Sequence, residues 1–210
     1  MIGILRTATI CAALALPLGA VAQDQASDAE TETPTADGND PSLTGLSMGS
    51  TEGEAGEPQV GQTYVAEVIE DWQVRCVKTE EGKDPCQLYQ LLKDSDGNSV
   101  AEFSIFNLPE GQEAVAGATI ITPLETLLTA DLRLAVDAGQ ARRYPYSFCS
   151  QIGCFARVGF TQGEIDALKR GNAANVTIVP AAAPNETVGL SVSLSGFTAG
   201  WNALLAANAQ

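Results

Sequence analysis

SFCSQIGCFARVGF (residues 147–160) sets Cys149 and Cys154 with four residues between them inside a run that otherwise reads as β-structure. RRYPYSFC on one side and CFARVGF on the other carry aromatic and β-branched residues. SQIG between them, with Gly153, reads as a four-residue hairpin loop. Cysteines bounding such a loop lie opposite one another. That suits a disulfide, whose Cα atoms must approach within about 7 Å. A thioredoxin-type redox pair instead needs C-x-x-C at a helix N-terminus, which depresses a thiol pKa. Here the spacing is wider and the context is strand.

The chain holds five cysteines. Cys11 sits in an N-terminal apolar run and leaves with it, as argued below. The remaining four, Cys76, Cys86, Cys149 and Cys154, are an even number, and four cysteines allow three pairings. WQVRCV and CQLYQLL alternate as strands do and flank the turn-like KTEEGKDP, so Cys76 and Cys86 face each other near the open end of that loop. The expected pairs are 76–86 and 149–154. A four-cysteine zinc site is the competing reading. It needs two close-set pairs, and an oxidising compartment competes for the thiols.

The first 22 residues build a secretory signal: Arg6, an apolar run from Ala8 to Leu18, and Ala20-Val21-Ala22 as a small-x-small cleavage site. The apolar run is shorter than the roughly 20 residues that cross a bilayer. Residues 23–59 hold nine acidic residues and no Lys, Arg or aromatic residue. Such a composition buries too little apolar surface to order itself, so the segment reads as a disordered acidic linker. Residues 60–210 remain as a single folded domain. Its 17 acidic and 10 basic residues leave a net charge of −7. That speaks against nucleic acid and anionic membrane surfaces, which require clustered cations. No later segment reads as transmembrane.

The domain reads as mainly β. TYVAEVIEDWQVRCV leads into a strand around Trp72, Val74 and Cys76, and CQLYQLLKD returns. SVAEFSIFNLP, GATIITP, LLTADLRLAVD, NVTIVP and TVGLSVSLSGF continue the pattern, giving about eight to ten short strands of a sandwich or barrel. Two helices stand out. TQGEIDALKRG carries a Thr161/Glu164 capping box and a Gly171 stop. FTAGWNALLAANA turns Phe197, Trp201, Leu204 and Leu205 inward.

Chemistry is sparse. The chain has no histidine, which removes the commonest general base and metal ligand. No nucleophile elbow, phosphate-binding loop or dinucleotide fingerprint occurs. Glu70-Asp71, read as adjacent strand residues, would point to opposite faces. DSDGN places Asp94, Asp96 and Asn98 at calcium-loop positions, but Ser99 stands where Gly is needed and Ile105 where Glu is needed, so a hairpin turn fits better. Asn175 and Asn185 begin glycosylation-type triplets that read equally well as polar strand ends. No catalytic residue, metal site or cofactor is expected.

Several signatures, taken in order, resemble the invasion-associated locus B family of exported bacterial proteins. They are DWQVRC (71–76), Cys86, TPLETLLTADLRLAVD (122–137), YSFCSQIGCFAR (146–157), LKRG (168–171) and LSVSLSGFTAGWNAL (190–204). Pro123-Leu124-Glu125 departs from the Pro-Leu-Gly usual in the family. The resemblance implies an extracytoplasmic, disulfide-bonded, β-sandwich-like domain from a Gram-negative alphaproteobacterial cell, and it implies no catalytic residues. The expected function is a periplasmic or secreted, non-enzymatic binding module that meets an unknown protein or envelope partner through sheet faces or loops. The alternatives are a structural or stress-related envelope protein without a dedicated ligand, and a hydrolase built on serine, lysine or carboxylates.

Overall fold

The computed structural model describes residues 57–209. The export signal expected over residues 1–22, Cys11, and all but the end of the acidic stretch 23–59 lie outside the described residues.

Eleven strands and two helices follow one another in the order β1 (Thr63–Ile69), β2 (Trp72–Val77), β3 (Cys86–Lys93), β4 (Ser99–Asn107), β5 (Ala116–Thr122), β6 (Leu132–Val136), β7 (Arg142–Tyr144), β8 (Tyr146–Ser150), β9 (Gly153–Phe160), α1 (Gln162–Arg170), β10 (Ala173–Ile178), β11 (Val188–Ser193) and α2 (Phe197–Asn208). The fold is mainly β, and every strand pair is antiparallel. The main path runs β7-β6-β10-β11-β3-β4-β5-β9-β8. Its two ends, β7 and β8, are consecutive in the chain and meet at Pro145, so the sheet nearly closes on itself. Proline cannot donate to a ladder, which is why the strand changes partners there.

β3 is a fork. Its first half, Cys86 to Tyr89, pairs with β2, while Lys93 pairs with Ser191 of β11. Gln90 sits at the branch with 7% of its surface exposed. Its Nε2 donates to the carbonyls of Asp71 (3.2 Å) and Ser193 (3.0 Å), and its Oε1 accepts from the Ser193 N–H (2.8 Å). The amide side chain thus supplies the bonds that backbones leave unmade where two strands part.

Period-two alternation fills the inside. β2 turns Trp72, Val74 and Cys76 inward, and β4 does the same with Ala101, Phe103 and Ile105. Trp72 meets Phe103 and Phe197 edge-on, at 5.9 and 5.3 Å between ring centroids. α2 covers this inner face with Phe197, Trp201 and Leu204. Gly200 allows the close approach, since a Cβ there would lie 2.8 Å from a Leu88 methyl. Leu205, expected inward, is exposed, because Gly200 and not Leu205 completes the packed stripe. α1 begins at Thr161, whose N–H donates to Glu164 (2.8 Å), and ends at Gly171, as the capping pattern implies.

Four local expectations change. TYVAEVIEDWQVRCV is a hairpin rather than one run into a strand: Glu70 adopts φ 51° and Glu70-Asp71 form its turn, so their side chains do not alternate across a sheet. RRYPYSFC breaks at Pro145 into β7 and β8. The SQIG loop is tighter than four residues, because Ser150 pairs with Gly153 and only Gln151 and Ile152 turn. LLTADLRLAVD opens with a short 3-10 helix, Leu128–Ala130, before β6. The strand count exceeds the expected eight to ten because of these breaks.

Candidate interaction surface

The strands β1-β2-β3-β4-β5-β9-β8 share one outward face, and their registers lay its side chains in rows. Gln73 pairs with Tyr89, then Ser104, Thr119 and Arg157. One row along, Leu91 pairs with Glu102, then Ile121, Phe155 and Phe148. The second row is largely apolar and open to solvent at its ends: Leu91 is 43% and Phe148 45% exposed, Ile121 and Phe155 between them are half-buried, and Ile152 at the adjoining β8–β9 turn is 73% exposed. Phe148 stacks on Phe155 with centroids 4.5 Å apart, and the Arg157 guanidinium lies 5.4 Å from the Phe148 centroid. The pair is held in place from behind. Gly153 has φ +143° and packs against the Thr122 carbonyl, where a Cβ has no room.

Charge on this face is more evenly balanced than over the domain as a whole. Arg75, Lys93 and Arg157 point outward among these rows, with Glu102 between them and Asp71 and Asp94 at the margin beside Lys93 and Arg75. The ion pairs among the described residues are Lys78–Asp84, Arg142–Glu164 and Arg143–Asp131, and none uses those three cations. Arg75 is held flat, 3.3 Å from the Tyr89 ring centroid, with its Nε–H bonded to Gln73 Oε1 (2.9 Å). Burial, and the nearby Glu102 carboxylate, push the Tyr89 hydroxyl pKa up. A groove of about 570 Å³ runs over the fork, lined by Arg75, Tyr89, Leu91 and Lys93, by Ser191 and Ser193, and by the acids Asp71 and Asp94.

Serine–carboxylate pairs occur beside this groove. Ser193 Oγ donates to Asp71 (2.6 Å), and Ser195 Oγ donates to Glu70. Both tie the β1–β2 turn to the end of β11, and neither hydroxyl hydrogen-bonds a lysine amine. Among the described residues no three His, Cys, Asp or Glu side chains converge as a metal site would require. Asp94, read as a calcium-loop position, accepts from the N–H groups of Asp96 and Asn98 and from Asn98 Nδ2, which makes it the anchor of a tight turn at Gly97. These bonds lower its pKa, the Asn98 side chain most. Asn175 is exposed in the middle of β10, not at a strand end, and Asn185 lies in the β10–β11 connection.

The cysteines are joined Cys76 to Cys86 and Cys149 to Cys154, in each case between directly paired residues with Cα atoms 4.0 Å apart. The first bridge closes the β2–β3 loop, whose interior is organised by Asp84. That carboxylate accepts from the Thr79 N–H (2.7 Å), Thr79 Oγ1 (3.0 Å) and Tyr64 OH (2.8 Å), and pairs with Lys78 (3.3 Å). The backbone bond from Thr79 leads in holding its pKa down at about 2. Asn208, in the last turn of α2, bonds both the N–H and the carbonyl of Cys86 (2.8 and 3.0 Å). Asp84, Gln90 and Asn208 were not visible as a set in the sequence, because each acts on backbone that only the fold brings near.

Residues 72–205 match the family model described as "Invasion associated locus B (IalB) protein". An invasion protein B homologue of Brucella abortus (strain 2308) is 27% identical over 140 residues, covering 66% of this chain and 78% of the relative, and the homologue from biovar 1 (strain 9-941) matches equally. The crystal structure of invasion associated protein B from Bartonella henselae superposes with a TM-score of 0.58 at 25% identity, covering 67% of this chain and 94% of that one. None of these relatives carries the name of an enzyme. With its two stapled hairpins and forked antiparallel sheet, the chain belongs to the invasion associated locus B family.

Proposed function

We propose that the protein is an exported, non-enzymatic interaction module of the cell envelope. In this reading residues 1–22 are a cleaved export signal, residues 23–59 a solvated acidic linker and residues 60–210 the working domain. The observation that carries the function is the outward face of the β1–β8 sheet. Exposed Leu91 and Phe148, with half-buried Ile121 and Phe155 between them, sit among Arg75, Lys93 and Arg157, which form no ion pair among the described residues, and this is the makeup of a contact surface more than of a solvated one. Two disulfides suit an oxidising compartment, and among the described residues no helix is long and apolar enough to cross a membrane. The names of the Brucella and Bartonella relatives link the family to invasion. For this chain an invasion role is part of the proposal only so far as the face finds a host or envelope partner.

Affinity capture from envelope extracts tests the reading. The unaltered domain should retain a saturable partner, and a variant with Phe148→Asp and Leu91→Asp should release it. Equal recovery by both would support the alternative, a structural envelope protein without a dedicated ligand.

A further inference from the structure

We infer that the free edge of β8 takes up an extended polypeptide segment as an added strand, one that carries an acidic side chain for Arg157 beside apolar residues for Phe148 and Ile152. This deepens the interaction-module reading and rests on it.

Three observations converge on this edge. First, β8 pairs with β9 on one side only, and among the described residues the backbone of Ser147 to Ser150 makes no hydrogen bond on the other. Second, this edge lacks the protection the other ends of the sheet have. β1 is bulged between Val65 and Glu67 and carries Glu67, and β7 presents Arg142 and Arg143, each tied up by a carboxylate. Tyr-Ser-Phe-Cys-Ser carries no charge at all, and an uncharged open edge is a template for another strand. The Cys149–Cys154 bridge fixes the hairpin register, so the template is presented without an ordering cost.

Third, the side chains next to the edge state what the added strand must bring. Phe148 and Ile152 offer apolar surface on the outward side, and Arg157 stands over Phe148 and forms no ion pair among the described residues. An arginine fork beside a sheet edge recognises a carboxylate on the incoming strand. The net charge of −7 over residues 60–210 works against long polyanions and against a second copy of this chain, whereas a short segment with one carboxylate feels mainly Arg157.

Panning a random peptide display library on the immobilised chain lacking residues 1–22 tests this directly. The expected clones alternate apolar and polar residues, hold one Asp or Glu, and lack proline within the paired stretch. Synthetic peptides made from them should slow amide exchange at Ser147–Ser150. Arg157→Glu should weaken them about tenfold and turn the enrichment toward Lys and Arg. Arg157 is exposed, so this variant keeps its fold, and an unchanged melting temperature would confirm that. Several results would overturn the inference: no enriched clones, clones indifferent to Arg157→Glu, exchange protection at β1 or at Arg75 instead of β8, concentration-dependent self-association through β8, or Arg157-dependent binding to phosphatidylglycerol vesicles without peptide binding. If envelope capture still depends on Phe148 and Leu91 while no peptide protects β8, the module reading stands and the added strand does not.

Discussion

Removing the two disulfides one at a time separates their contributions to stability. The bridges close loops of different length, with sequence separations of 10 for Cys76–Cys86 and 5 for Cys149–Cys154. Chain-entropy reasoning gives about 2.7 kcal/mol for the first and about 2.1 kcal/mol for the second. Burial widens the gap. Cys76 and Cys86 are both inside, whereas Cys149 is exposed and only Cys154 is buried. Trimming the inner pair to alanine also strips apolar contacts beside the Asn208 clamp. The variant C76A/C86A should therefore lose about 3–4 kcal/mol, and C149A/C154A about 2 kcal/mol. Equilibrium guanidinium unfolding of the oxidised chain lacking residues 1–22 measures both. A reductant should lower the midpoint of each variant further, since each retains one bridge. Equal midpoints for the two variants, or a larger loss from C149A/C154A, would refute the reasoning.

Replacing Gln90 by leucine leaves the Ser193 N–H without its acceptor at the fork and should cost about 1–3 kcal/mol, read as a shift in urea midpoint at unchanged slope. Asn208→Ala frees the backbone of Cys86 and should lower stability by about 1–2 kcal/mol, with faster amide exchange at Cys86. Asp84 titrates near pH 2 in the folded chain, below its ordinary 3.8. A carboxylate with a depressed folded pKa stabilises above its unfolded pKa, and that stabilisation fades as pH falls from about 4 toward 2. Asp84→Asn should lower the melting temperature at neutral pH and flatten the acid limb of the stability profile, and an unaltered limb would argue against the network.

The parts of the fold legible in the sequence were those set by neighbours. Alternation exposed β2, β3, β4 and β9, the Thr161/Glu164 spacing marked α1, and loop length paired each cysteine with its nearest partner. What escaped depends on residues far apart in the chain. Nothing local in TYVAEVIEDWQVRCV says that Glu70 takes a left-handed backbone, because it is held there by Ser195 and by Gly196 packing on the turn. Gln90 reads as one polar residue in an apolar strand until β2 and β11 are seen to diverge around it. The candidate surface was legible only as separate residues. Leu91, Ile121, Phe155 and Phe148 come from four strands, and register alone sets them in a row. Arg157 was one charge among many before its neighbours were known.

The helix at 197–208 has a consequence for timing. It is made after every strand, yet Phe197, Trp201 and Leu204 complete the interior, and Asn208 clasps a residue 122 positions earlier. Hairpins can form as the polypeptide emerges, but the lid arrives last. Until then the centre stays open and the early ribbons remain loosely associated. A nascent chain on such a schedule reaches its native form only once its final helix has been made.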